Sequence, residues 1–147
     1  MTTLRMPKVD RKILKDKDQI AKDICSFTKR KNVLSELEEL KPYETDGLTA
    51  YKQTPMLVVL PETTQEVSKI LSYCNKKKIK VVPRGAGTGL AGSALPLADC
   101  VLLGLGKFNK ILEKDYKNRC VVSQPGVTNL AITHAVQDNG FYYAPDP

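Results

Sequence analysis

Residues 81–93 read Val-Val-Pro-Arg-Gly-Ala-Gly-Thr-Gly-Leu-Ala-Gly-Ser, with four glycines inside the eight residues 85–92. Glycine has no Cβ, so a loop of this composition can adopt positive φ and let a ligand approach its backbone closely. Successive exposed N–H groups in such a loop suit phosphate oxygens. The stretch therefore predicts an anion-binding loop. Thr88 and Ser93 can add hydroxyl donors to it, and Arg84 can add charge or brace it.

The residues before this loop predict a strand–helix–strand unit. Residues 56–60 are a continuous apolar run and residues 79–82 are β-branched, which favours two buried strands. Between them, Thr63 and Glu66 have the spacing of a capping box at the start of a helix. Residues 56–82 are therefore predicted to form a βαβ unit, with the helix packed on a sheet.

Further elements are predicted on both sides of that unit. Downstream, the patterns predict three strands and a helix, at 100–103, 111–114, 119–123 and 128–139. Thr128 is a suitable N-cap for this helix. Upstream, polar residues 1–15 are expected to be frayed. Two helices and an extended connection are expected to follow, at 16–31, 33–40 and 41–55.

Composition restricts the class of protein. A chain of 147 residues with 41% hydrophobic and 27% charged residues is typical of one globular domain. It has neither the apolar run of roughly 20 residues that a spanning helix needs nor the apolar core of a secretory signal. The four cysteines form no C-x-x-C pair and His134 is the single histidine, which argues against a metal site and favours free buried thiols.

The net charge of +7 is concentrated at the N-terminus. Residues 1–31 hold ten Lys and Arg against four Asp and Glu, whereas residues 32–147 hold thirteen against twelve. A lysine-rich helix is most often a solvated face, and contact with an anionic membrane or a nucleic acid is the alternative. Aromatic residues are not interleaved with these charges as they are in single-strand binders.

Two other interpretations compete for the glycine loop. One is a turn without a ligand, although so many glycines lower stability unless the bare backbone is needed. The other is a dinucleotide fingerprint, because residues 87–92 match G-x-G-x-x-G. In that fingerprint the glycines open a helix directly after the first strand. Here they follow the second strand, and Pro96 interrupts any helix.

Four motifs, in order, resemble the vanillyl-alcohol-oxidase/PCMH-type flavoprotein superfamily, in its branch of glycolate oxidases and D-lactate dehydrogenases. They are Tyr-Glu-Thr-Asp-Gly at 43–47, the stretch 81–90, Gln-Pro-Gly-Val-Thr-Asn at 124–129 and Ala-Pro-Asp-Pro at 144–147. The resemblance implies an α/β (α+β) PCMH-type FAD-binding fold, with a βαβ pyrophosphate subdomain and the start of a second subdomain. Residues 1–53 are then a basic helical extension with a connecting loop. Residues 54–147 are the FAD-binding domain, incomplete at its C-terminus.

The resemblance also implies the cofactor and its contacts. The loop residues expected to wrap the FAD pyrophosphate are Pro83, Arg84, Gly85, Ala86, Gly87, Thr88, Gly89, Leu90, Gly92 and Ser93. Those expected beside the rest of the cofactor are Pro125, Gly126, Val127, Pro145, Asp146 and Pro147. Relatives that attach FAD covalently use a histidine where Thr88 stands, so non-covalent binding is expected.

The function implied by the resemblance is the FAD-binding portion of a 2-hydroxy-acid dehydrogenase, which transfers hydride to FAD and yields a 2-keto acid. Residues 1–147 contain neither a convincing general base nor the substrate domain, so no catalytic residue is assigned and the chain is expected to be inactive alone. A second polypeptide supplying the rest is one expectation, and a truncated non-catalytic remnant is the alternative. The expected location is the cytoplasm, with peripheral attachment to the inner membrane face as a variant.

Overall fold

The computed structural model describes residues 6–144. They form two compact units, one ending at Leu105 and the other beginning at Gly106. None of the described helices is long and apolar enough to cross a membrane.

The first unit is built on a four-stranded sheet with the order β1-β2-β4-β3. Strands β2, β4 and β3 are parallel, and β1 is antiparallel to β2. The strands are β1 (Val33–Leu34), β2 (Leu57–Val59), β3 (Lys80–Arg84) and β4 (Cys100–Gly104). Four helices belong to the same unit: α1 (Arg11–Lys15), α2 (Lys17–Cys25), α3 (Leu37–Leu40) and α4 (Thr64–Lys77).

The predicted βαβ unit is present, as β2, α4 and β3. Its two strands are not neighbours, because β4 lies between them and pairs with both. All residues of β2 and β4 are buried, as expected for strands covered on both faces. Strand β3 continues two residues beyond its predicted end, so Arg84 is its last residue and the glycine loop begins at the carboxyl edge of the sheet.

Helix α4 begins with the predicted capping box. The Thr63 hydroxyl accepts a hydrogen bond from the Glu66 N–H at 3.2 Å, and the Glu66 carboxylate accepts one from the Thr63 N–H at 3.3 Å. Ile70 and Cys74 face the sheet and are fully buried in the main apolar cluster of the unit. The helix ends at Lys77, and the next residue, Lys78, has a φ of 57°.

The residues before position 54 differ from prediction in three places. Helix α1 lies within residues expected to be frayed, and the Asp10 carboxylate caps it by accepting from the Lys12 N–H at 2.9 Å. Helix α2 ends at Cys25, earlier than expected. Val33 and Leu34 form β1 instead of a helix, because they pair with the otherwise open edge of β2. Ile20 and Ile24 of α2 are buried in the same core as the sheet.

A buried carboxylate, Asp99, connects this N-terminal segment to the sheet. The Asp99 carboxylate is 2% exposed and accepts hydrogen bonds from the Lys80 ammonium and the Asp10 N–H, both at 2.7 Å. Burial alone would raise the pKa of Asp99, but these hydrogen bonds outweigh it and hold the pKa below its usual value.

We expect this ion pair to make the protein sensitive to acid. The pKa of Asp99 is lower in the folded chain than in the unfolded chain, so its contribution to stability is complete above about pH 4 and is lost as the pH falls through the folded value. Urea titrations between pH 7 and pH 3 should show the free energy of unfolding falling less in Asp99→Asn than in the wild type. Equal acid slopes for the two proteins would contradict this assignment.

The second unit contains a hairpin and a helix: β5 (Ile111–Asp115), β6 (Cys120–Ser123) and α5 (Asn129–Val136). Both strands were predicted, and they pair antiparallel with each other. The Thr128 hydroxyl caps α5 by accepting from the Ala131 N–H at 3.2 Å, which confirms the predicted N-cap. The helical segment ends at Gly140, where φ is 77°.

All four cysteines are free, but the prediction that they are buried holds for only two. Burial raises the pKa of the Cys74 and Cys100 thiols to about 11. Cys25 is partly buried and Cys120 is exposed. Within residues 6–144, no group of three or more His, Cys, Asp or Glu side chains is placed to hold a metal ion.

Candidate functional site

The glycine loop lies where β3 ends, at the carboxyl edge of the parallel strands. Loops at this edge are the usual position of ligand sites in open α/β sheets. Gly85, Ala86, Thr88, Gly89 and Leu90 are all on the surface, and Leu90 is the most exposed large apolar residue among them. Most of the residues predicted to form the loop therefore lie together on the surface, whereas Arg84 is buried.

The loop carries a run of unused backbone donors. Within the described part of the chain, none of the N–H groups of residues 85–92 donates to a protein acceptor, and the first that does is Leu95, to the Gly92 carbonyl at 3.2 Å. The N-terminus of α4 lies at the same edge, where its Glu66 side chain accepts from the N–H groups of Glu62 and Thr63. The loop has the longer run of available amides at this edge, so it is the better candidate to bind an anion.

The glycines serve two purposes. Gly87 and Gly92 have φ values of 76° and 72°, a backbone conformation that L-residues rarely adopt. Gly85 and Gly89 do not adopt the left-handed conformation. A Cβ built on either residue would meet no atom within 4 Å, so the space beside each is open. These two glycines leave the backbone bare towards open space, so that a ligand can approach the amides.

Arg84 lies beneath the loop. Its side chain is buried, Nη1 donates to the Thr45 carbonyl at 2.6 Å, and the guanidinium carbon is 5.8 Å from the centre of the Tyr43 ring. A Cβ on Gly87 would lie only 2.4 Å from the guanidinium, so the two are in direct contact. No carboxylate among residues 6–144 forms an ion pair with Arg84. The arginine therefore braces the loop and leaves its positive charge uncompensated.

Residues 43–48 form a second wall against the loop, which sequence reasoning missed. A Cβ on Gly47 would lie 2.4 Å from the Thr88 carbonyl oxygen and 2.8 Å from that of Gly89, so only glycine allows this approach. A Cβ on Gly92 would lie 3.6 Å from the Leu48 side chain. The motif at 43–47 could have indicated this contact, because it is one of the four motifs of the family resemblance. The sequence alone does not show what role the motif has.

Asp46 in this wall is 4% exposed. Its Oδ1 accepts from the Leu48 N–H at 3.0 Å, which makes a local turn. Its Oδ2 is closed off from solvent and has no hydrogen-bond partner within residues 6–144.

The turn at residues 124–127 of the second unit is held in place by two backbone hydrogen bonds. The Gly126 N–H donates to the Phe108 carbonyl at 2.7 Å, and the Val127 N–H donates to the Gln124 carbonyl at 3.1 Å. These two N–H groups are thus used inside the unit, and any contact that Pro125, Gly126 and Val127 make with a cofactor must use other atoms. Pro145, Asp146 and Pro147 lie outside the described residues.

Comparison with protein families matches residues 55–147 to an FAD binding domain. Glycolate oxidase subunit GlcD of Escherichia coli (strain K12) is 52% identical over 110 residues, which are 75% of this chain and 22% of that protein. The mitochondrial D-2-hydroxyglutarate dehydrogenase of Arabidopsis thaliana is 40% identical over 116 residues, or 76% of this chain and 21% of that protein. The chain thus spans about a fifth of the length of these curated relatives.

Two solved structures show the same architecture. p-Cresol methylhydroxylase with substrate bound has a TM-score of 0.75 and 26% identity, over 92% of this chain and 27% of its own. Alkyldihydroxyacetonephosphate synthase has a TM-score of 0.76 over 99% of this chain and 28% of its own. Its identity is only 18%, so it speaks to the fold alone.

Proposed function

Because this chain belongs to the FAD binding domain family, with glycolate oxidase and D-2-hydroxyglutarate dehydrogenase relatives, we propose that its glycine loop holds the pyrophosphate of FAD. The family and the PCMH-type FAD-binding fold expected from the motifs are confirmed. The observation that carries the proposal is the run of unused N–H donors at 85–92 above the uncompensated guanidinium of Arg84.

The chemistry of this loop suits a pyrophosphate. Amides that need no reorganisation bind phosphate oxygens, and a nearby buried cation adds attraction that solvent screens only weakly. The bare backbone at Gly85 and Gly89 admits the ligand. We assign to this contact the residues Pro83, Arg84, Gly85, Ala86, Gly87, Thr88, Gly89, Leu90, Gly92 and Ser93. The assignment of Pro125, Gly126, Val127 and residues 145–147 to the rest of the cofactor rests on the family resemblance.

We infer that the intact protein is a flavin-dependent 2-hydroxy-acid dehydrogenase, since the names of several relatives refer to oxidation of glycolate, D-2-hydroxyglutarate or D-lactate. When bound, FAD supplies the hydride acceptor, and the residues of this chain bind and orient it. The groups that activate the hydroxy acid would come from outside these residues, on the same or a second polypeptide. A chain that binds FAD weakly and takes part in no reaction is the alternative.

Three finer assignments belong to the same proposal. Thr88 stands where covalent relatives carry histidine, so binding is expected to be non-covalent. We assign residues 54–147 to the FAD-binding domain and residues 1–53 to an extension that precedes it. We propose that the protein is located in the cytoplasm. Its basic N-terminal segment would allow peripheral attachment to an anionic membrane face.

The test is a visible absorbance spectrum of the purified chain after incubation with excess FAD and desalting. Retained flavin that denaturation releases would support non-covalent binding. ADP should displace it, because ADP carries the pyrophosphate, whereas FMN, which lacks it, should not. A well-folded protein that retains no flavin would refute FAD binding by this chain.

Gly85→Ala should separate ligand contact from folding. The added methyl meets no protein atom, so we expect the free energy of unfolding without ligand to change by less than about 0.5 kcal/mol. The same methyl would stand in the space proposed for the pyrophosphate, so the affinity for FAD should fall about tenfold or more. Urea titration and equilibrium titration with FAD measure the two quantities. Unchanged affinity in this variant would place the ligand elsewhere.

A further inference from the structure

The segment 43–47 touches the glycine loop from a part of the chain that precedes the matched domain. The family match covers residues 55–147. The segment nevertheless contacts both the backbone of the loop and the Arg84 side chain beneath it. A segment outside the matched domain thus reaches both groups that we assign to the pyrophosphate.

The contact at Gly47 fixes which way two of the loop amides point. A Cβ built on Gly47 would collide with the carbonyl oxygens of Thr88 and Gly89, so both oxygens face Gly47. No peptide bond in the described residues 6–144 is cis, and in a trans peptide the N–H points opposite to the C=O. The N–H groups of Gly89 and Leu90 therefore point away from Gly47. Residues 88–90 are all exposed, so these unused donors are turned to the open side of the loop.

Two other residues of the segment hold Arg84. Its Nη1 donates to the Thr45 carbonyl at 2.6 Å, and its guanidinium carbon lies 5.8 Å from the centre of the Tyr43 ring. An aromatic ring attracts a cation over its face but carries no net charge, so the guanidinium is held without being neutralised. Tyr43 is itself packed against a buried apolar cluster that includes Leu40 and Val58.

We propose that the segment 43–47 is a positioning element of the pyrophosphate site. Gly47 turns the loop peptides so that the N–H groups of Gly89 and Leu90 are presented to the ligand, while Tyr43 and Thr45 hold the guanidinium beneath them. The donors and the cation then lie in place before the ligand binds, which reduces the ordering that binding requires. The segment acts through the loop and through Arg84. This inference rests on the proposed FAD site.

Tyr43→Leu tests the hold on Arg84. Leucine keeps an apolar side chain in the cluster but has no ring face, so the affinity for FAD should fall about fivefold to thirtyfold, as expected for a partly desolvated cation–π contact. Tyr43→Phe keeps the ring and should bind FAD like the wild type. In an Arg84→Met background, Tyr43→Leu should have no further effect, because Tyr43 acts through the arginine. Equilibrium titration with FAD gives each affinity.

Gly47→Ala tests the orientation of the amides. Gly47 does not adopt the left-handed conformation, so the added methyl acts through the two loop carbonyls that it meets. Displacing them turns the N–H groups of Gly89 and Leu90, and the affinity for FAD should fall about tenfold or more. Amide hydrogen exchange at Gly89 and Leu90 should slow when the wild type binds FAD. The same FAD concentration should slow it less in Gly47→Ala.

Leu40→Ala is the matched control for lost packing. Leu40 is buried in the cluster against which Tyr43 packs. The substitution should lower the unfolding midpoint of the ligand-free protein. At temperatures where this variant is fully folded, its affinity for FAD should equal that of the wild type.

The outcomes separate the two proposals. If the wild type binds FAD and either Tyr43→Leu or Gly47→Ala binds it equally well, the positioning role is overturned and the FAD site stands. Additive losses in Tyr43→Leu and Arg84→Met would overturn it too, because Tyr43 would then act independently of the arginine. The Tyr43 series decides the question if Gly47→Ala fails to fold. A folded wild type that binds neither FAD nor ADP removes the proposed function and this inference together.

Discussion

Gly87→Asp is expected to abolish flavin retention. Gly87 has a φ of 76°, and its Cβ position lies 2.4 Å from the Arg84 guanidinium, so any side chain there strains the backbone and displaces the brace. Aspartate also brings a negative charge to the place proposed for the pyrophosphate and neutralises Arg84. Together these effects should lower the FAD affinity on the order of a hundredfold or more. Absorbance at the flavin bands after desalting measures the loss.

Gly140→Asp controls for the backbone strain. Gly140 has a nearly identical φ of 77°, and a Cβ there would meet no atom within 4 Å. Both variants should therefore lose roughly 1 kcal/mol of stability from the left-handed backbone, but only Gly87→Asp should lose flavin. Retention of flavin by a folded Gly87→Asp protein would show that this loop does not hold the cofactor.

Ile70→Ala should give the largest loss of stability among simple substitutions in α4. Ile70 is fully buried where the helix packs on the sheet, in the same cluster as Leu57 and Val101. Truncating it removes buried methyl groups and leaves a cavity, which costs about 2–5 kcal/mol. Helix α4 connects β2 to β3, and β3 leads into the glycine loop. The variant should therefore also bind FAD less well at temperatures where it is partly unfolded.

Leu71→Ala is the matched control, one position further along the same helix. Leu71 is 43% exposed, so its truncation should change the free energy of unfolding by less than about 0.5 kcal/mol. Urea denaturation followed by circular dichroism compares the two. Equal losses would mean that α4 does not face the sheet through Ile70.

Much of the fold was predictable because its signals are local. The capping box of α4, the apolar runs of β2 and β4 and the Thr128 cap each lie within a few neighbouring residues and have one preferred structure. The glycine loop was predictable for the same reason, since dense glycine is unfavourable unless the backbone needs it.

The strand β1 and the order of the strands could not be predicted, because neither has a local signal. Val33 and Leu34 are too few to show a strand period, and their pairing is decided by the open edge of β2 more than twenty residues away. Likewise, no pattern within residues 56–82 indicates that β4 enters between β2 and β3. Strand order depends on which distant apolar surfaces are buried together.

By itself, then, the sequence determined the βαβ unit, the family and the loop that offers amides to an anion. Only the tertiary structure decided how that loop is held. Arg84 lies under Gly87 and donates to Thr45, and Gly47 touches the backbone of residues 88 and 89. The burial of Asp46 was decided in the same way. These contacts join segments about forty residues apart, and hydrogen bonding and burial at such distances follow from the packing of the whole unit and from no local propensity.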